Sequence, residues 1–261
     1  MRFSDTLNSL IAHEKDWSAV IGEDWSQGRA TFGGMVAALG NEVMRRLVPA
    51  ERQLRSLETI FVGPALAGSV RIQAEILRTG KAVTVASARL WSEEQIAATF
   101  TGVYGAPRRA AIAIAPPAAS DVRSEDFLEP PFSSLQPAFA QHFGQRWAAG
   151  SHPFAGSSLT SATTFVRHKD GGALTESHVV ALVDCIPSVI LQMMSTPAPS
   201  SSLTWTVQFL KHDYSFAPEA WWRIDAEVDS AGQGYCCESS VLFDPTGAPA
   251  ALSRQMVAVF G

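Results

Sequence analysis

The 261-residue sequence has no long hydrophobic run. No window approaches the roughly 20 consecutive apolar residues that cross a bilayer. Met1 to Trp17 lacks the apolar core of a signal peptide. No membrane partner is therefore expected, and the expected location is cytoplasmic. Concentrated basic charge is also missing: 20 Lys and Arg stand against 25 Asp and Glu, and basic residues occur at most in pairs. A phosphate backbone needs a dense basic face, so nucleic acid is not an expected partner. Cysteine is scarce, and the count of three is odd, which gives no disulfide framework. Cys236 and Cys237 are neighbours in a predicted strand, so they face opposite ways and cannot chelate one ion together; they read as buried thiols. The six histidines, at 13, 142, 152, 168, 178 and 212, show no metal-ligand spacing, so no metal and no cofactor are expected. The sequence also lacks Gly-x-Ser-x-Gly, Gly-x-Gly-x-x-Gly and Walker motifs. These absences argue against a nucleophile-elbow hydrolase and against dinucleotide or nucleotide-triphosphate sites.

What the sequence does contain is an internal repeat. Arg71-Ile72-Gln73-Ala74-Glu75 returns as Arg223-Ile224-Asp225-Ala226-Glu227, an offset of 152 residues (223 − 71). At that offset Gly80 meets Gly232, Ser87 meets Ser239, Leu90 meets Leu242 and Trp91 meets Phe243. After a loop read as four residues longer in the second copy, Tyr104-Gly105 meets Phe260-Gly261. The period is far too long for a solenoid and describes a duplicated domain.

Residues 5–15 suit a short amphipathic helix and Trp17 to Trp25 a strand. Gly28-Arg29-Ala30-Thr31-Phe32-Gly33-Gly34 leads into an apolar, Ala-rich helix from Met35 to Leu47, ended by Pro49. Strands are predicted at Leu54–Val62, Ser69–Leu77, Val83–Ser92 and Ile96–Gly105. Residues 106–137 hold six of the fifteen prolines and read as a linker over the surface. The second copy repeats the pattern. Strands are predicted at Phe139–Ala148 and Thr160–His168, then a helix over Thr175–Gln192, then strands at Ser202–His212, Ala220–Asp229, Gly234–Phe243 and Ala250–Phe260. Both helices are apolar around most of their circumference, which marks them as buried. An antiparallel meander curved around one apolar helix is the pattern of a hotdog fold. The expected class is α+β, a tandem (double) hotdog, with units at 1–105 and 138–261 joined by 106–137.

Four stretches carry a family resemblance. Gly28–Gly34 resembles the start of the first helix in double-hotdog acyl-CoA thioesterases of the type II branch. Val180-Ala181-Leu182-Val183-Asp184, with Pro187 beyond, resembles that branch's helix with its catalytic aspartate. Ser201–Phe209 resembles its strand with a catalytic hydroxyl, and Ala251-Leu252-Ser253-Arg254-Gln255 its last strand with a catalytic glutamine. The family's Thr-(Ile/Leu)-Asp-His stretch reads Ser202-Leu203-Thr204-Trp205 here, which marks a divergent branch. Direct matching gives Ser202 the hydroxyl position. Thr204 and Thr206, two and four residues on, are expected on the same strand face and stay open as alternatives.

The resemblance implies an acyl-CoA substrate, with water attacking the thioester. Asp184 would be the base, and Ser202 and Gln255 would position the water. Asp184 sits in apolar sequence without a nearby cation, so a raised pKa is expected unless polar partners hold it. An alternative role is the cap of a shorter helix beginning near Pro187. Backbone N–H groups of Gly33, Gly34 and Met35, at the positive end of the first helix, are the expected oxyanion donors; the alternative is that the glycines only allow tight packing. Candidates for the coenzyme A phosphates are Arg29, Arg108, Arg109, Lys169, Lys211 and His212. Cys185 adjoins Asp184 but has no evident base. The first copy places Gly40 or Asn41 and Thr99 where the second has Asp184 and Gln255, so one competent site per chain is expected. Alternative functions are an enoyl-CoA hydratase or dehydratase, which would want an Asp/His pair, and a non-catalytic acyl-CoA-binding module. Homo-oligomers are possible partners on this architecture.

Overall fold

The computed structural model describes residues 1–114 and 118–260; Pro116 and Pro117 of the expected linker and the terminal Gly261 lie outside them. The first unit runs α1 (Phe3–Asn8), β1 (Ile11–Ala12), β2 (Trp17–Ile21), the hairpin β3 (Ser26–Gln27) and β4 (Ala30–Thr31), α2 (Gly33–Leu47), then β5 (Gln53–Phe61), β6 (Gly68–Thr79), β7 (Val83–Ser92) and β8 (Gln95–Gly105). The second runs β9 (Phe143–Ala149), β10 (Ser161–His168), α3 (Glu176–Val183), β11 (Ser200–Phe209), β12 (Trp222–Gly232), β13 (Tyr235–Phe243) and β14 (Pro249–Val259). All but β3 and β4 join one antiparallel sheet, in the order β1-β2-β6-β7-β8-β5-β11-β14-β13-β12-β10-β9. That order is a mirror about the β5–β11 pair, where Leu57 lies opposite Val207. Both α2 and α3 are buried along nearly their whole length, as their apolar sequences require. This is the tandem hotdog: two helix-filled units sharing one continuous sheet.

Several expected boundaries moved. The helix expected over Thr175–Gln192 ends at Val183, and a separate 3-10 turn follows at Val189–Met193. Pro187 has no N–H to give the Val183 carbonyl, so the helix cannot continue through it. The freed end is caught elsewhere, with Gln145 Nε2 donating to the Cys185 carbonyl at 2.8 Å. The strand expected to Trp25 stops at Ile21 and becomes a 3-10 turn, Glu23–Trp25. The strand expected from Phe139 starts as the 3-10 turn Ala138–His142. The first helix ends at Asn8.

The repeat register also needs correction. Leu90 pairs with Ala98, and Leu242 with Ala251. The offset is thus 152 before the turn (242 − 90) and 153 after it (251 − 98), so the second loop is one residue longer rather than four. Gln255 therefore corresponds to Gly102, not Thr99, and Val257 to Tyr104. The described part of 106–137 runs along the second unit. Ala119 N–H donates to the Gly247 carbonyl (3.1 Å), Arg146 to the Ser124 carbonyl (2.8 Å), and Arg167 pairs with Glu129 (2.9 Å).

The first unit is filled with aromatics at its centre. A Cβ on Gly40 of α2 would meet the Phe100 ring at 2.6 Å, and one on Gly102 would meet the Tyr104 ring at 2.6 Å. Gly40→Ala should therefore force Phe100 aside and cost about 1–3 kcal/mol, the usual scale of overpacking. The expected reading is a thermal midpoint several degrees lower; an unchanged midpoint would mean that Phe100 has room to move.

Candidate active site

The two central helices pack side by side and antiparallel: Asn41 and Glu42 of α2 bond Ser177 near the start of α3, and the start of α2 meets the end of α3. Gly34, near the start of α2, lies so close to α3 that a Cβ there would stand 3.1 Å from the Ala181 Cα. The start of α2 is fixed from the other unit: the ring of Phe32, its N-cap, stacks on Phe139 at 4.2 Å between centroids and 4° between planes. Phe32 N–H also donates to the Trp25 carbonyl at 2.9 Å.

Asp184 is the C-cap of α3 and sits at this junction. The 3-10 turn beyond Pro187 has Ser188 as its N-cap, so the alternative role of Asp184 as cap of a second helix is not realised. Its carboxyl faces the start of α2: Oδ2 is 2.9 Å from where a Gly33 Cβ would be, and the Gly34 N–H lies near enough to favour its charged form. Burial pushes the Asp184 pKa up to about 7, against the smaller stabilising pull of that N–H. Two helix ends act on it in opposite senses. The N-terminus of α2 favours its charge, and the C-terminus of α3 opposes it.

Of the expected oxyanion donors, the Gly34 N–H lies beside the Asp184 carboxyl. Met35 N–H turns back to the Phe32 carbonyl at 3.1 Å. The Gly33 N–H has no acceptor among the described residues. The Phe61 ring closes the other side of Gly33, at 3.1 Å from the same Cβ position. Phe61 ends β5, whose Ile60 pairs with Thr204, so this ring borders the stretch of β11 that carries Ser202.

Ser202 Oγ donates to Gln255 Oε1 at 3.0 Å. A β-bulge makes this pair. Ser202 lies opposite Val257, but Thr204 lies opposite Met256, so Leu203 is the extra residue. A bulge reverses the alternation of faces. Ser202 points inward with Trp205 and Val207, whereas Thr204 is exposed; the shared face expected for Ser202, Thr204 and Thr206 does not form. The inner face here is polar. Gln255 pairs with Glu238 and Ser253 with Ser240, and Trp205 Nε1 donates to Ser253 Oγ at 2.8 Å. A small pocket, with room for about one water molecule, lies between these residues and Val183, Ile186, Pro187 and Val189. Sequence reasoning missed Glu238, although the repeat carried a signal, since Glu238 aligns with Ala86 at the offset of 152.

Residues 21–105 match the family model of the acyl-CoA thioesterase N-terminal domain, and residues 116–259 that of the C-terminal domain. The chain belongs to the acyl-CoA thioesterase family. It is a thioester hydrolase. Among solved structures it resembles a hot-dog-fold protein of unknown function from Alicyclobacillus acidocaldarius (19% identity, TM-score 0.87, covering 99% of this chain and 98% of that one). It also resembles an acyl-CoA thioesterase II from Mycobacterium marinum (16%, 0.76, 98% and 97%) and the dehydratase domain of RzxB from Pseudomonas fluorescens (10%, 0.59, 98% and 99%). These likenesses establish the fold alone, which several chemistries share. A sequence search of curated proteins finds no match.

For a thioesterase, the expected phosphate contacts separate clearly. Lys211 is ion-paired with Asp244, Lys169 with Glu129 (3.2 Å), and His212 meets Arg55 at 2.6 Å, with its pKa pushed down to about 4 by burial. Arg29, Arg108 and Arg109 are exposed, and Arg29 lies in the β3–β4 turn just before α2. The Cys185 thiol is buried, and burial and Asp184 both push its pKa up, away from a nucleophile's range. Among the described residues no three His, Cys, Asp or Glu side chains converge as metal ligands would.

Between about pH 4 and 7 an unfolded chain has lost the Asp184 proton while the folded chain keeps it, so this group lowers stability as pH rises through that window. Asp184→Asn removes the penalty. The variant's gain in unfolding free energy should grow from pH 5 to pH 8 by about 2–3 kcal/mol, read from denaturant midpoints. A gain independent of pH would place the Asp184 pKa in the ordinary range.

Proposed function

We propose that this thioesterase hydrolyses acyl-CoA by direct attack of water, with Asp184 as the base. The observation that carries the reading is the Asp184 carboxyl at the start of α2, with a pKa near 7 that lets it gain and lose a proton at working pH. Asp184 takes a proton from water, and the oxygen adds to the thioester carbonyl carbon. The tetrahedral intermediate then expels the thiolate. The C–S bond breaks, and the proton on Asp184 passes to the leaving sulfur, giving free acid and CoA.

Gln255 and Ser202 position the water or the carbonyl in this scheme. With its Oε1 accepting from Ser202, Gln255 keeps an Nε2 donor that bonds no other described residue. The Gly33 N–H, at the positive end of α2, is the donor available to the developing oxyanion. Arg29 is the basic group best placed for a CoA phosphate, by its position in the turn before α2. The hydratase reading wants a histidine beside the carboxylate; among the described residues none acts on Asp184. The inner face supports one site per chain: the first-unit counterparts of Ser202, Gln255 and Glu238 are Leu54, Gly102 and Ala86, all without polar side chains.

Thiol release should fall by about 10²–10⁴-fold in Asp184→Asn. Ser202→Ala should lose about tenfold or more, while Thr204→Ala, on the outer face, should keep parent activity. In the parent, kcat/KM should climb with pH and level off above about 7, since the base must be ionised. Full turnover by Asp184→Asn would remove the assignment, and loss in Thr204→Ala with none in Ser202→Ala would move the hydroxyl role.

A further inference from the structure

Glu238 is a buried acidic residue that the proposed reaction does not use. It is 4% exposed and lies on the inner face of β13, directly across from Gln255. Every hydrogen bond it makes among the described residues ends on one oxygen. Oε1 accepts from Ser188 Oγ (2.6 Å), Ile190 N–H (2.8 Å) and Cys236 Sγ (3.6 Å). Oε2 has none, and the residue lines the pocket that Gln255 also lines. No cation pairs with it among the described residues. Beside it on the same inner face stand Ser240 and Ser253, whose counterparts in the first unit are Ala88 and Phe100. At these positions the inner face is thus polar only in the unit that holds Asp184. The facing wall, Val183 and Ile186 to Val189, stayed largely apolar.

We propose that Glu238 is a specificity residue for an acyl group bearing a hydroxyl, and that the hydroxyl enters the pocket and donates its proton to Glu238 Oε2. A plain hydrocarbon chain closing over the pocket would cut an acceptor off from water and return no hydrogen bond, which is the costly arrangement. A hydroxyl fills the one-water space and supplies the bond. Sites built to bond a hydroxyl reject the analogue that lacks it more strongly than apolar pockets reject an extra methylene. The pocket, about the size of one water molecule, admits the hydroxyl and not the carbon chain. This inference rests on the proposed Asp184 chemistry for turnover but not for binding, so the two can be tested apart.

The experiment compares CoA thioesters of one length: butanoyl and its 2-, 3- and 4-hydroxy forms. Thiol release by the parent gives kcat/KM for each, and calorimetric titration of Asp184→Asn gives Kd without turnover. The expected result is a preference of about tenfold or more for one hydroxybutanoyl thioester over butanoyl in both measurements. The hydroxyl preference should shrink toward unity in Glu238→Ala. If that variant fails to fold, because Ser188 and Ile190 lose their anchor, the parent series still decides. Equal or better use of butanoyl by the parent overturns the proposal, as does an unchanged preference in folded Glu238→Ala. Absence of turnover with every thioester would count against the Asp184 mechanism, and the Kd series would then decide the role of Glu238.

Discussion

The structure turns on one carboxyl group held between two helix ends. Asp184 terminates α3, where the helix dipole opposes a negative charge, and meets the start of α2, where the dipole favours it. That meeting requires the two helices to touch, and they touch because Gly34 has no side chain to keep Ala181 away. It also requires α3 to stop at Asp184, which Pro187 enforces by withholding the N–H that would continue the helix. A continued helix would have carried the chain past the sheet rather than under it. The turn instead lays Ile186 to Val189 over the inner face of β12 to β14, and Glu238 ties that segment down through Ser188 and Ile190.

Duplication followed by divergence explains why the two units differ. The same bulge occurs in both: between Leu54 and Ser56 in β5, and between Ser202 and Thr204 in β11. In the first unit it points Leu54 into an apolar core. There Phe100 packs on Gly40, and Tyr104 folds over Gly102 to donate to Asn41 at 2.8 Å. In the second unit the same backbone points Ser202 at Gln255. One scaffold thus gives a packed core or a polar pocket according to which side chains fill five inner positions.

Much of this was legible in the sequence, and the reasons are specific. The Arg71–Glu75 and Arg223–Glu227 repeat is long enough to expose the duplication, and two apolar helices flanked by alternating strands left few architectures open. The site was readable in part, because Asp184 is an acidic residue in an apolar stretch followed by a proline. The bulge at Leu203 was not readable. It depends on one unpaired residue between two strands, and strict alternation assigned Thr204 and Thr206 to the wrong face. The register of Gln255 failed for a related reason. A match of chain ends can absorb residues that the ladder does not, and only the Leu242–Ala251 pair fixed the count. The placement of Asp184 beside the start of α2 depends on how two helices distant in sequence pack, which no local pattern carries.

The polar inner face has to be weighed against its cost. Buried polar groups destabilise unless bonded, and this unit places Ser202, Glu238, Ser240, Ser253 and Gln255 where its twin has carbon. Part of the cost is offset internally, through Ser202 with Gln255 and Trp205 with Ser253. The remaining capacity, Gln255 Nε2 and Glu238 Oε2, belongs to two residues that line one small pocket beside the end of α3. A fold with no use for those groups would gain stability by reverting them to the Ala and Phe of the first unit, whose backbone is already suited to them. The first unit, sealed by Phe100 and Tyr104 and continuous with the second through β5 and β11, supplies the apolar packing against which the second can hold these groups in place.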